Sequence, residues 1–212
     1  MAARISVVAY TDFPSDARPR REARALAERG DEVQAYTAGD RGRYRRDGVH
    51  VHEIPVVRYR GGQAGSYLTS YSQFLAQAAF ELARRPRPDV VHVHTLPDFM
   101  VFAALGPKLR GARVVLDIHD PMPELYSSKF GLGPFHPVIR AIAAQERAAV
   151  RFADHVICTH DLFRTRLIGL GMRPDKVSVT LNVADETIFG RPGEVSPSAH
   201  PEGPPRLVYH GT

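Results

Sequence analysis

The chain has 212 residues, a formal net charge of +5, 43% hydrophobic residues and 24% charged residues. That balance is ordinary for a globular protein and excludes wholesale disorder, and no run approaches the roughly 18 apolar residues of a membrane span. A single cysteine, Cys158, excludes a disulfide framework and any zinc site built on several thiolates.

In chain order, Ile5–Tyr10 reads as a strand. Asp12 interrupts that apolar opening too soon for a signal peptide, and a cytoplasmic location is expected. A helix is expected over Arg18–Arg29, stopped by Gly30, then a strand over Glu32–Thr37. The run Arg41–Arg46 reads as a solvated turn. A strand follows over Val49–Val57, and a glycine-containing loop leads to a helix over Tyr67–Arg84. Strands are expected over Asp89–His94 and Arg113–Ile118, with a helix over Phe99–Leu109 between them. Pro121 and Pro123 are expected to hold the next loop extended. A helix over Pro137–Phe152, a strand over His155–Cys158, a helix over Asp161–Leu170 and a strand over Lys176–Leu181 complete the series. Such alternation predicts an α/β fold: a Rossmann-like, open, mostly parallel sheet with helices on both faces.

The tail has a different composition. Residues 191–205 are rich in proline and glycine and read as a linker after a domain over 1–190. Residues 206–212 read as the first-strand stub of a further domain.

In an open parallel sheet, ligands sit beyond the carboxyl ends of the strands. Polar residues gather there: Asp12, Asp16 and Arg18 after the first strand; His94, Thr95 and Asp98; Asp117, His119, Asp120 and Glu124; and Thr159, His160 and Asp161. Asp16 and Asp161 also fit as helix caps. His92 and His94, two apart on a strand, share a face, and His92 reads as a core histidine bonded to backbone. His119, on a proline-braced rim, suits donation to a hydroxyl or an anionic oxygen. The first strand leads into Thr-Asp-Phe-Pro-Ser-Asp rather than Gly-x-Gly-x-x-Gly, which argues against a dinucleotide cofactor. A metal-dependent hydrolase using His92, His94, His119 and Asp120 fits the residue types, and a non-catalytic ligand-binding Rossmann domain is the third reading. With 28 basic residues, of which only Lys108, Lys129 and Lys176 are lysines, the chain suits phosphate and carboxylate recognition.

An ordered series of segments resembles the retaining family 4 glycosyltransferases of the GT-B fold. They are Ser15–Val33, Asp89–Thr95 with its Val-Val-His-Val-His core, Leu116-Asp-Ile-His-Asp-Pro-Met-Pro-Glu124 and Glu146–Thr159 with its Phe-Ala-Asp-His-Val-Ile-Cys-Thr end. Asn182-Val-Ala-Asp185 with Phe189, and Arg206–Gly211, continue it. Where many members carry a glycine pair in the first loop, this chain has Pro14-Ser15-Asp16. The resemblance implies transfer of a sugar from a nucleotide-sugar to an acceptor with retention of configuration. It implies an acceptor-side N-terminal domain, with the donor-binding domain to follow. No metal or other cofactor and no nucleic-acid partner are expected. The resemblance implies a carbohydrate, lipid-linked or small-molecule acceptor, as in cell-envelope synthesis. His119 matches the family histidine that faces the donor sugar and diphosphate. Asp12, Asp16, Arg18, Thr95, Asp98, Asp120 and Glu124 are the acceptor-side candidates. Arg41, Arg43, Arg45, Arg46, Arg58 and Arg60 offer a basic patch for peripheral membrane contact.

Overall fold

The computed structural model describes residues 2–56 and 64–183, with side chains from residue 68 onward in the second stretch. One compact unit covers Met1–Asn182 and a second Val183–Thr212. The expected linker and stub, and Arg58 and Arg60, lie outside the described residues.

Eight strands form one sheet: β1 (Arg4–Ala9), β2 (Glu32–Ala38), β3 (Arg43–Arg46), β4 (Val49–Ile54), β5 (Val90–His94), β6 (Arg113–Ile118), β7 (His155–Cys158) and β8 (Val177–Val179). Their order is β3-β4-β2-β1-β5-β6-β7-β8. Every pairing is parallel except β3 with β4. The helices are α1 (Ala17–Glu28), α2 (Ala64–Arg84), α3 (Leu105–Leu109), α4 (Met122–Phe130), α5 (Pro137–Phe152) and α6 (Asp161–Gly169). This is the expected doubly wound sheet. From β1 the chain runs outward to β2, then returns to place β5 on the other side of β1, which creates a switch point between β1 and β5.

Two apolar clusters show why the sheet is covered on both faces. Ile5, Val7, Val33, Ala35, Val49 and Val51 pack with Ala23 and Leu26 of α1. Val8, Tyr36, Val91, Val93, Leu116 and Val156 face the other way, with Phe74 and Leu82 of α2, Val150 of α5 and Leu167 of α6. Alternating strand residues thus feed different cores, which requires apolar residues at nearly every central-strand position.

Four local expectations are corrected. The Arg41–Arg46 turn is strand β3 over Arg43–Arg46. It pairs antiparallel with β4, and Tyr44 donates to Glu53 at 2.8 Å. A charged strand is tolerated there because an edge has one side in solvent. The loop expected to be held extended by its prolines instead enters α4, with Pro123 in the first turn, where the missing N–H costs no helical bond. The helix expected from Phe99 is a 3-10 segment over Asp98–Ala104 that passes into the short α3. Finally, Asp161 does not cap α6: His160 is the cap, and its ring accepts from the Phe163 amide at 3.1 Å.

Candidate functional site

Parallel register brings the site together. Ala9 of β1 pairs with His94 of β5, and His94 with Asp117 of β6. The chain exits β5 and β6 into Thr95 and His119, so these side chains meet beside the switch point. The hydroxyl of Thr95, itself buried, accepts the His119 amide at 3.0 Å. The His119 ring keeps 22% of its side-chain surface exposed. Its Nε2 lies 3.2 Å from His94 Nδ1 and 3.5 Å from Asp117 Oδ2. Asp120, next along, is exposed.

Under this rim lies a buried charged cluster. Asp117 is fully buried, and the Arg18 guanidinium grips both its oxygens, with Nε 3.1 Å from Oδ2. His94 Nδ1 approaches the same Oδ2 at 3.2 Å. Burial by itself would raise the Asp117 pKa, but the His119 and His94 rings beside it reverse that and hold the carboxyl well below the usual range. Glu22, one helical turn after Arg18, bonds back to it at 3.4 Å. Its carboxylate lies 3.7 Å from His92 Nε2 and 3.9 Å from His94 Nε2. Burial, opposed by His94 and reinforced by Asp117, leaves the Glu22 pKa raised.

The structure separates the residues expected on one rim. His119, Thr95 and Asp120 are together. Arg18 is not a rim residue: it is 6% exposed and committed to Asp117. Asp16 caps α1 by accepting from the Arg18 amide at 3.3 Å. Asp12 accepts from Arg41, which also pairs with Glu53. Glu124 is exposed but ion-paired with Arg166 at 2.7 Å. Asp98 is fully buried, and neither carboxylate oxygen has a hydrogen-bond partner among the described residues. Burial, helped by nearby Glu146, pushes its pKa up to about 7. Arg166 chelates buried Glu146 with two 2.8 Å bonds while holding Glu124.

His92 is buried, but among the described residues no backbone bond to its ring is found. Its Nε2 has no hydrogen-bond partner among the described residues, and the ring lies tilted against His94 with centroids 4.4 Å apart. Burial, with His94 adding to it, pushes its pKa down to about 3. The ligand set His92, His94, His119 and Asp120 does not assemble as written: the groups whose donor atoms converge are Glu22, His92, His94 and Asp117. Glu22 was missed because a helical glutamate carries no motif of its own. The signal available was its spacing of four from Arg18.

The chain is similar in fold to several solved structures. Sucrose-phosphate synthase of Thermosynechococcus elongatus matches with a TM-score of 0.66 at 11% identity, over 87% of this chain and 49% of that one. HepE of Anabaena in complex with UDP matches at 0.51 and 16% identity, over 88% of this chain and 46% of that one. UGT73P12 of Glycyrrhiza uralensis, complexed with glycyrrhetinic acid 3-O-monoglucuronide, matches at 0.55 and 14%, over 84% of this chain and 48% of that one. The chain thus spans about half the length of the structures it matches, and the fold is that of one Rossmann-like half of a GT-B protein. No curated protein sequence matches the chain. Residues 16–182 match the model of the glycosyl transferase 4-like domain, and the chain belongs to that family. Among the described residues, no helix is long and apolar enough to cross a membrane.

Proposed function

We propose that this chain is the acceptor-side half of a glycosyltransferase that moves a sugar from a nucleotide-sugar to an acceptor with retention of configuration. The observation that carries the reading is the family match over residues 16–182, which spans every strand end that builds the His119 rim except that of β1. The nucleotide is held by a second domain, in keeping with the coverage of about half of each matched structure. The acceptor is a carbohydrate, a lipid-linked sugar or a small molecule, and the setting is cell-envelope or glycoconjugate synthesis in the cytoplasm.

The chemistry follows from the rim. His94 Nδ1–H lies between Asp117 and His119 Nε2, so that Nε2 accepts and the His119 Nδ1–H is left to donate to an incoming ligand. The Thr95 hydroxyl fixes the His119 backbone. Helix α4 starts three residues later with no side-chain cap, so its first amides favour negative charge nearby. A donor sugar and its departing diphosphate placed here meet a preorganised imidazole and a positive helix end. No metal is required for that stabilisation. Asp120 is the exposed carboxylate best placed to meet an acceptor hydroxyl.

The test is His119→Ala in the complete enzyme. Loss of one preorganised donor lowers kcat by about 10²–10³-fold and leaves the melting temperature nearly unchanged. His92→Ala shows the opposite pattern, lower stability with near-normal turnover. A His119→Ala enzyme with unchanged kcat and a strongly lowered melting temperature refutes the reading.

A further inference from the structure

The Glu22–His92–His94 cluster has an arrangement that hydrogen bonding alone does not explain. His92 and His94 sit two apart on β5, so both rings project toward α1. Both Nε2 atoms are buried, and neither has a hydrogen-bond partner among the described residues. Both lie close to the same oxygen, Glu22 Oε2, at 3.7 and 3.9 Å, too far for a hydrogen bond. The other nitrogen of His94 meets the Asp117 carboxylate at 3.2 Å. Charge assistance assigns the proton to Nδ1, donating to Asp117, and so leaves a lone pair on Nε2. A buried lone pair facing a second imidazole and a carboxylate is costly unless something electropositive lies between them.

We propose that Glu22, His92 and His94 form a binding site for a divalent transition metal of the zinc class. Two imidazoles and a carboxylate are a borderline-soft donor set of the kind zinc takes. Tetrahedral zinc with bonds of about 2.0–2.1 Å sets its donor atoms about 3.4 Å apart. The two histidine–glutamate separations are within about half an ångström of that spacing, and Glu22 sits on a flexible side chain. Asp117 is then the outer carboxylate that orients His94 through its Nδ1–H, an arrangement common behind metal-bound histidines. Arg18 keeps Asp117 in that outer role by occupying both its oxygens. His92 Nε2, buried and without a hydrogen-bond partner among the described residues, has its donor electrons free. Glu22 and His92 also line a groove of about 520 Å³ that runs past Ile5 and Val115 to Thr180. The groove supplies an entry path and room for a water as fourth ligand. The site ties α1 to β5 beneath the His119 rim, and it stands whether or not the transfer reading holds.

The experiment is calorimetric titration of the metal-stripped chain with zinc ion alone at pH 7.5, with cobalt(II) as a spectroscopic stand-in. The expected result is one equivalent bound, a raised melting temperature, and the visible absorption of tetrahedral cobalt. Glu22→Gln and His92→Gln each weaken zinc binding at least tenfold and abolish the cobalt spectrum. His50→Ala, at an exposed histidine on β4, changes neither. Absence of stoichiometric binding overturns the proposal. Binding that both variants leave unchanged also overturns it, as an adventitious ion only. If the variants fail to fold, the unaltered chain decides alone: cobalt bound without a tetrahedral spectrum refutes the site.

Discussion

Replacing Arg18 by methionine isolates the buried ion pair at the centre of the domain. The side chain keeps most of its volume and loses its charge. Arg18 and Asp117 are 6% and 0% exposed, with Nε 3.1 Å from Oδ2. At that separation and an effective dielectric constant of about 20, the attraction is about 5 kcal/mol. His94 and His119 remain beside Asp117 and recover part of it, so the expected destabilisation is about 3 kcal/mol, at the lower end for a broken buried pair. Urea unfolding at pH 7 measures it, with the slope against denaturant unchanged. The loss depends on pH in a defined direction. Asp117 has a depressed pKa in the folded state, so its contribution is present above the ordinary carboxylate range. It disappears as the pH falls through the lowered folded value. The gap between wild type and variant therefore narrows in acid. The exposed pair Arg173–Asp175, at 71% and 61% exposure, is the control. Arg173→Met should change stability by less than about 1 kcal/mol. A loss of under about 1 kcal/mol for Arg18→Met would refute the argument, because it would make the buried pair no different from a surface one.

Asp98→Asn tests the buried, unpartnered acid. Its folded pKa of about 7 exceeds its unfolded value, so wild-type stability falls as pH rises from about 4 to 7, by up to about 4 kcal/mol. The variant should lose that slope and be the more stable of the two at pH 8; identical pH profiles would show that Asp98 is not a buried acid. The basic patch is smaller than its arginine count, since Arg41 is engaged by Asp12 and Glu53 and Arg43 lies 3.8 Å from Glu81. Peripheral membrane contact through the β3 edge predicts low-salt sedimentation with anionic but not neutral liposomes, weakened by Arg43→Ala with Arg45→Ala. Equal recovery in both supernatants removes it.

Much of the fold was legible because its determinants are local. Central strands such as Arg4–Ala9 and Arg113–Ile118 are short apolar runs, and helices such as Ala17–Glu28 end at glycine or carry recognisable caps. The order of those runs was enough for a parallel sheet, and the polar residues at their carboxyl ends were enough to place His119 on a rim. What stayed hidden depends on partners far along the chain. The edge strand β3 has no apolar alternation and becomes a strand only because β4 lies beside it. Asp98 resembled a rim carboxylate until the packing around the 3-10 segment enclosed it. Arg18 and Asp117 are 99 residues apart, and nothing in either segment announces the other. An arginine reads as a surface residue until the fold removes water from around it and supplies a carboxylate in the same place. Sequence by itself determined the layers and the rim. The tertiary structure decided which charges are buried, because burial and pairing belong to the assembled sheet and not to any one segment.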